Sequence, residues 1–236
     1  MTQVDPTIAK DELAAAPADE VAAAQNRQML AQAQVLAVAL IGPPGAGKTA
    51  LIEATARQLR GKARVGVIAV NPAAERDANR VSRYCDHAEA VRTAIPDAAS
   101  LRQALLRMDL KSIDILFIES VGGIAAAPQL GQDLTVTVLG VSGGDDKAAE
   151  YANLLTQSQL LILSKAELQR HVMFDLGVFR ADARRINPQA ELLEISAFEA
   201  TGLPRWLNWI DRRWREFYPQ RRRPKISQAL PEFFFG

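Results

Sequence analysis

The sequence predicts an α/β fold in which a mostly parallel β-sheet carries helices on both faces. Short apolar runs alternate with segments of helical periodicity along most of the chain. Polar motifs come directly after several of the apolar runs, at the place where ligands bind to parallel sheets. With 236 residues, 48% hydrophobic and 23% charged, the chain suits one domain with a sizeable core.

The predicted elements divide the chain into three parts. We expect a flexible arm over residues 1–17, because it is rich in Ala, Asp and Glu and contains two prolines. Residues 18–217 form the expected folded domain, which begins with a helix, and residues 218–236 form a basic and aromatic tail. Strands are predicted at 35–41, 65–70, 113–118, 134–139, 160–163 and 191–195, and helices at 18–33, 50–60, 75–84, 97–108, 148–157, 174–185 and 203–217.

A glycine-rich loop joins the first strand to the helix that follows it. Its sequence, G-P-P-G-A-G-K-T, matches the P-loop pattern G-x-x-x-x-G-K-[ST], in which backbone N–H groups cradle phosphates. Lys48 is expected to reach the β- and γ-phosphates, and the Thr49 hydroxyl to bind Mg²⁺. Gly45 and Gly47 permit a close backbone approach. The candidate nucleotide contacts in this stretch are Gly42, Gly45, Ala46, Gly47, Lys48, Thr49 and Ala50.

A second motif, E-S-V-G-G, begins at Glu119 directly after the strand predicted at 113–118. A carboxylate at the end of a strand is more often simply solvated. In a P-loop protein, however, it can hold Mg²⁺ through water, and a nearby glycine N–H can sense the γ-phosphate. We therefore interpret Glu119 as a Mg²⁺-site residue and Gly122 as a nucleotide contact.

Two further motifs fit recognition of a nucleobase. Ser164-Lys165-Ala166-Glu167 is similar to the [NST]-K-x-D sequence of guanine-binding proteins, in which the lysine stem lies along the base and the carboxylate accepts two hydrogen bonds. Ser196 and Ala197 follow the strand predicted at 191–195, where a backbone N–H can donate to the guanine oxygen. Glu167 is one methylene longer than the expected aspartate, which puts discrimination against ATP in doubt.

These motifs stand in the order found in the hydrogenase nickel-incorporation GTPases, the HypB family. The segment 118–123 resembles the family's I-E-N-V-G-N, and 141–147 resembles its V-T-E-G-E-D-K. The resemblance implies a SIMIBI-type P-loop GTPase domain over residues 18–217. It implies GTP/GDP and Mg²⁺ as cofactors, slow hydrolysis, and help with nickel delivery to a hydrogenase. It further implies catalytic roles for Lys48, Asp77 and Glu119, with Thr49, Asp77 and Glu119 at the Mg²⁺.

The chain departs from this family at its metal site. The family carries a Cys-His pair where the chain has residues 91–99, and a cysteine where it has Ala127. Cys85 and His87 could form a displaced site, but two ligands leave a tetrahedral ion short of donors unless a dimer completes it. We therefore assign no transition-metal site. Asn71 replaces an aspartate of the family, which predicts slower hydrolysis.

Charge and composition restrict the partners. Seven of the 28 Lys/Arg and only two of the 27 Asp/Glu lie between Asp211 and Lys225, so a basic segment follows a mildly acidic body. This segment is either a solvated end or a tail that docks on an acidic partner, and nucleic acid is not favoured. The single cysteine and the lack of long apolar runs predict a cytoplasmic protein without a membrane span.

The resemblance predicts a nucleotide-dependent homodimer that meets hydrogenase maturation factors or a metalloenzyme precursor. Two alternatives stay open at this point. The protein could be an accessory GTPase for another metalloenzyme, or a scaffold that binds nucleotide without hydrolysing it.

Overall fold

A computed structural model describes residues 6–71, 74–93, 95–121, 128–221 and 224–226. Within them, seven parallel strands form one sheet in the order β3-β2-β4-β1-β5-β6-β7. The strands are β1 Leu36–Gly42, β2 Val65–Val70, β3 His87–Val91, β4 Ile115–Val121, β5 Leu134–Gly140, β6 Leu160–Ser164 and β7 Glu191–Ile195. The helices are α1 Pro6–Ala33, α2 Lys48–Leu59, α3 Ala74–Val81, α4 Ala98–Leu105, α5 Lys147–Glu150, α6 Ala152–Thr156, α7 Leu176–Ile186 and α8 Leu203–Phe217.

Strand β1 forms the centre of the sheet, between β4 and β5. All seven of its residues are buried, because helices cover both of its faces. One face packs against α2 and α8, and the other packs against α1 and α4. Burial of each large aliphatic side chain in these layers stabilises the fold by about 1.5–3 kcal/mol relative to exposure. The α/β fold class predicted from the sequence is confirmed.

Helix α8 is fixed to α2 by a buried polar contact as well as by apolar packing. The indole Nε1 of Trp206 donates a 2.9 Å hydrogen bond to Oγ1 of Thr55, whose hydroxyl in turn donates to the carbonyl of Leu51. Trp206 itself is fully buried and packs near Phe117 of β4. Since α2 begins at the P-loop, this contact supports the helix that carries the loop.

The structure adds one strand to the six that the sequence predicts. Strand β3, His87–Val91, pairs in parallel with β2 at the edge of the sheet. Its sequence, H-A-E-A-V, is only partly buried and lacks the large apolar residues of an interior strand. Helix α1 begins at Pro6, earlier than the start at Ala18 expected from the sequence.

The described part of the C-terminal segment packs onto the domain. The hydroxyl of Tyr218 donates a 2.9 Å hydrogen bond to the carbonyl of Val35, and Arg221 forms a 3.1 Å ion pair with Asp114. Ile226 is fully buried in the core. Packing therefore extends into the segment 218–236, which the sequence predicts to be a tail, and Phe233–Phe235 lie outside the described residues.

Candidate nucleotide-binding site

The P-loop has the backbone conformation that its glycines make possible. Gly45 and Gly47 have φ angles of 75° and 90°, which L side chains rarely adopt. Gly42 is required because of limited space, since a Cβ added there would lie 2.1 Å from the carbonyl oxygen of Val138 on β5. The loop therefore lies close against the sheet, and α2 begins at its end.

Lys48 lies inside the loop. Its side chain is buried, and its Nζ donates hydrogen bonds of 2.8 and 3.0 Å to the carbonyl oxygens of Gly42 and Pro43. Burial lowers the pKa of Lys48, and the negative charges of Glu119 and Asp77 oppose that shift. The ammonium group is thus held at the concave side of the loop, where the motif places the phosphates.

Thr49 and Glu119 form the second contact of the site. The hydroxyl of Thr49 donates a 2.6 Å hydrogen bond to Oε1 of Glu119. The other carboxylate oxygen, Oε2, is buried and has no hydrogen-bond partner. Burial raises the pKa of Glu119, while the hydrogen bond from Thr49 and the charge of Lys48 act in the opposite direction. A buried oxygen without a partner beside a hydroxyl fits the donors that Mg²⁺ prefers.

Asp77 approaches the same site from α3. Its Oδ2 accepts a 3.0 Å hydrogen bond from the side-chain amide of Asn71, at the end of β2. Its charge acts on the pKa of both Lys48 and Glu119. The structure therefore places Asp77 near Lys48 and Glu119, the two other residues to which the resemblance assigns catalytic roles. Gly122, the glycine expected to sense the γ-phosphate, lies outside the described residues.

A pocket of about 310 Å³ lies beside the P-loop. The Ser164 hydroxyl at the end of β6 donates a hydrogen bond to the carbonyl of Ala46, which joins this pocket to the loop. Oε2 of Glu167 is buried without a hydrogen-bond partner, and Lys165 takes a left-handed conformation with φ 57°. The lining residues are Gly47, Ala50, Leu51, Ser164, Lys165, Glu167, Leu168, Ile195, Ala197 and Phe198.

Most of the residues predicted to contact the base line this pocket. Ala197 lies in its wall, whereas Ser196 is fully buried behind it and its Oγ accepts a 2.9 Å hydrogen bond from the backbone N–H of Glu199. Phe198, which is 89% exposed, also lines the pocket but was not predicted from the sequence. The available signal was an aromatic residue directly after the Ser196-Ala197 pair.

Cys85 and His87, the candidates for a displaced metal site, have other contacts in the structure. Cys85 is partly buried against the core, and burial raises the pKa of its thiol to about 11. Nε2 of His87 lies 2.7 Å from the hydroxyl of Ser112. Among the described residues, no group of three or more His, Cys, Asp or Glu side chains is placed to hold a metal ion.

A parallel sheet with a P-loop, a hydrogen-bonded Thr–Glu pair and an adjoining pocket defines a P-loop nucleotide-binding protein. Residues 36–194 match the model of the CobW/HypB/UreG nucleotide-binding domain. The chain belongs to this family. In the part of the chain with described structure, no helix has the length and apolarity needed to cross a membrane.

Two bacterial relatives and one solved structure illustrate the similarity. The chain is 33% identical to the hydrogenase maturation factor HypB of Azotobacter vinelandii over 195 residues, and 34% identical to that of Escherichia coli K12 over 194. Each match covers 80% of this chain but only 64% and 67%, respectively, of the relative. The crystal structure of HypB from Archaeoglobus fulgidus is 27% identical, with a TM-score of 0.76, and the match covers 84% of this chain and 99% of that one.

Proposed function

We propose that the protein binds and slowly hydrolyses GTP as an accessory factor in metalloenzyme maturation, namely nickel insertion into a hydrogenase. The observation that carries this proposal is the convergence of Lys48, Thr49 and Glu119 at the P-loop. Glu167 lines the pocket beside it, and its carboxylate, one oxygen of which is buried without a hydrogen-bond partner, suits the N–H donors of a guanine edge. The proposed biological role is supported by membership of the family, because relatives similar to this chain are named hydrogenase maturation factors.

The chemistry follows from the side chains of the site. Lys48 exchanges its bonds to the loop carbonyls for bonds to the β- and γ-phosphates, and it neutralises their charge. Thr49, Glu119 and Asp77 are the residues that would hold Mg²⁺, and the bound ion would supply positive charge to neutralise the charge that develops on the phosphates. Asp77 orients water or metal, and Asn71 fixes the position of its carboxylate. Because Asn71 lacks the charge of the family's aspartate, we expect slow turnover.

The presence of Asn71 in place of the family's aspartate bears directly on the alternative of a nucleotide-dependent scaffold. The neutral amide at the end of β2 can position Asp77 but cannot itself bind Mg²⁺ as a carboxylate does. A protein that holds GTP without hydrolysing it would use the same pocket and the same P-loop. The other alternative is an accessory GTPase for a different metalloenzyme. Such a protein would have the same nucleotide-binding site, so the site geometry does not distinguish the two roles.

We propose that the protein acts in the cytoplasm as a nucleotide-dependent homodimer, together with hydrogenase maturation factors or a metalloenzyme precursor. The transition metal is cargo in this proposal. The described residues offer no cluster of soft ligands, so metal is carried by the partner and nucleotide binding changes the conformation of the complex.

Single-turnover hydrolysis of GTP with and without Mg²⁺ tests the enzymatic part. Wild type should convert GTP to GDP only with Mg²⁺, and Glu119→Gln should lose Mg²⁺-dependent hydrolysis, while the control Glu150→Gln keeps it. Tight GTP binding without hydrolysis would favour the scaffold. Hydrogenase activity in a strain that lacks the gene tests whether a hydrogenase is the enzyme served. We expect wild type to restore this activity and Lys48→Ala not to restore it.

A further inference from the structure

Phe198 lies at the rim of the pocket beside the P-loop and has 89% of its surface exposed. Exposure of a large aromatic ring to water forgoes the free energy that its burial would provide. The pocket that it borders is lined by apolar side chains, among them Leu51, Leu168 and Ile195. A flat ring in this pocket would contact apolar surface on more than one side.

The loop that carries Phe198 is fixed by several backbone contacts. The N–H of Ser196 donates a 3.0 Å hydrogen bond to the carbonyl of Thr201, and Oγ of Ser196 accepts the N–H of Glu199. Gly202 closes the loop with φ 75°, at a place where a Cβ would lie 2.1 Å from the carbonyl oxygen of Glu194. These contacts hold the backbone on both sides of Phe198, which reduces the entropic cost of using its ring in binding.

An ion pair joins this loop to the segment that carries Glu167. The Arg170 guanidinium lies 2.7 Å from a carboxylate oxygen of Glu199. Arg170 ends the short 3₁₀ turn Ala166–Arg170, which also contains Glu167. The wall with the buried acceptor and the loop with the aromatic ring are therefore connected directly.

We propose that Phe198 is a nucleobase-stacking residue whose ring covers one face of the base bound in this pocket. This inference rests on the proposed nucleotide-binding function and names a contact within it. Stacking on an aromatic side chain strengthens binding of any base, because every base has a π-face. Phe198 thus supplies affinity for the base, whereas Glu167 supplies the preference for guanine.

Calorimetric titrations of the full chain with GDP, ADP and pyrophosphate, each with Mg²⁺, separate base contacts from phosphate contacts. Phe198→Ala should bind both nucleotides about 5- to 30-fold more weakly, as expected for loss of one stacking contact, and bind pyrophosphate like wild type. The matched control is Phe217→Ala, which removes a partly exposed ring on α8. It should leave all three affinities unchanged.

Phe198→Trp provides an independent readout. The three native tryptophans are buried, so the introduced indole supplies the exposed fluorescence. Its emission should be quenched by GDP and not by pyrophosphate, with GDP affinity retained. A GDP affinity within about twofold of wild type in Phe198→Ala would overturn the stacking role, as would an equal loss of pyrophosphate affinity. Neither result affects the proposed GTPase function, which fails if wild type binds no GDP or binds GTP without hydrolysing it.

Discussion

The hydroxyl of Thr49 donates a 2.6 Å hydrogen bond to Oε1 of Glu119, and this bond joins the first turn of α2 to the end of β4. The two residues meet because β1 and β4 are parallel neighbours, with Leu40 opposite Glu119. The P-loop that follows β1 and the motif that ends β4 therefore reach the same edge of the sheet. The remaining oxygen of Glu119 is buried without a hydrogen-bond partner, and a carboxylate oxygen is a ligand that Mg²⁺ prefers.

Lys48→Ala should abolish measurable binding of GTP and GDP. The buried ammonium of Lys48 is placed inside the loop, where the phosphates are expected to bind. Lys165 is the one lysine, among the described residues, that lines the adjoining pocket, and it lies on the side predicted to bind the base. Isothermal titration calorimetry of the variant measures the loss, with Lys62→Ala, at a lysine just beyond the C-terminal end of α2, as the control. Unchanged GTP affinity in Lys48→Ala would contradict the role assigned to this residue.

Glu167→Asp should sharpen the preference for GTP over ATP. Glu167 has a buried oxygen without a partner in the pocket, but its longer side chain is a poorer match for a guanine edge than aspartate. The expected gain in discrimination is on the order of 1–3 kcal/mol at most, the value of a well-placed bidentate contact. Competition between GTP and ATP measures it. Wild type should still prefer GTP, so equal or tighter ATP binding would refute the guanine assignment.

Much of this architecture could be predicted from the sequence because it depends on local patterns. Six strands follow from apolar runs, and the bounds of α8 agree with the predicted 203–217. Strand β3 could not be predicted, since its H-A-E-A-V sequence becomes a strand only by pairing with β2. The same holds for the site. Motif spacing identified Lys48 and Glu119, whereas the position of Phe198 depends on contacts of its loop with other segments.

The packing of the C-terminal segment shows the same limit. Ile226 is one apolar residue in a basic stretch, and nothing in its neighbours indicates that it is buried. Its place in the core depends on contacts between distant segments, such as the 2.8 Å hydrogen bond from the backbone N–H of Lys225 to the carbonyl of Lys62. Periodicity over a short window carries no information about such a contact.

Thr55→Val should lower the free energy of unfolding by about 1–3 kcal/mol. The substitution keeps the shape of the side chain but removes the oxygen that accepts the buried indole N–H of Trp206. Urea unfolding followed by tryptophan fluorescence measures the change. Thr156→Val, at an exposed threonine, is the matched control and should stay within about 0.5 kcal/mol of wild type. A similar value for both variants would show that the Trp206 contact contributes little.

Cys85 should react slowly with iodoacetamide at neutral pH. Burial raises the pKa of its thiol from 9.0 to about 11, so the thiolate fraction falls by roughly 100-fold. The alkylation rate should increase with pH, because only the thiolate reacts. With the raised pKa, the rate should keep rising toward pH 11 instead of levelling near pH 9. Mass spectrometry of the folded protein across this range, with urea-unfolded protein as the reference, measures the rate. A folded-state rate equal to that of the unfolded chain would contradict a buried thiol.

The protein should bind no stoichiometric Ni²⁺ or Zn²⁺ by itself. A tight site for either ion needs about four donors in close geometry, with thiolate or imidazole ligands. Cys85 holds its proton, and a cysteine must lose its proton to ligate a metal, while Nε2 of His87 lies beside the hydroxyl of Ser112. Where the family has a second cysteine, this chain has Ala127.

Dialysis against excess Ni²⁺ or Zn²⁺, followed by elemental analysis, decides this prediction for wild type and Cys85→Ser, with and without GTP. We expect less than one tightly held ion per dimer in every sample, and no difference between the two proteins. One ion per dimer that is lost in Cys85→Ser would establish a Cys85/His87 site completed by dimerisation. An ion retained in both proteins would indicate other ligands. Either result would mean that the protein carries metal itself, whereas the expected result assigns the metal to its partner.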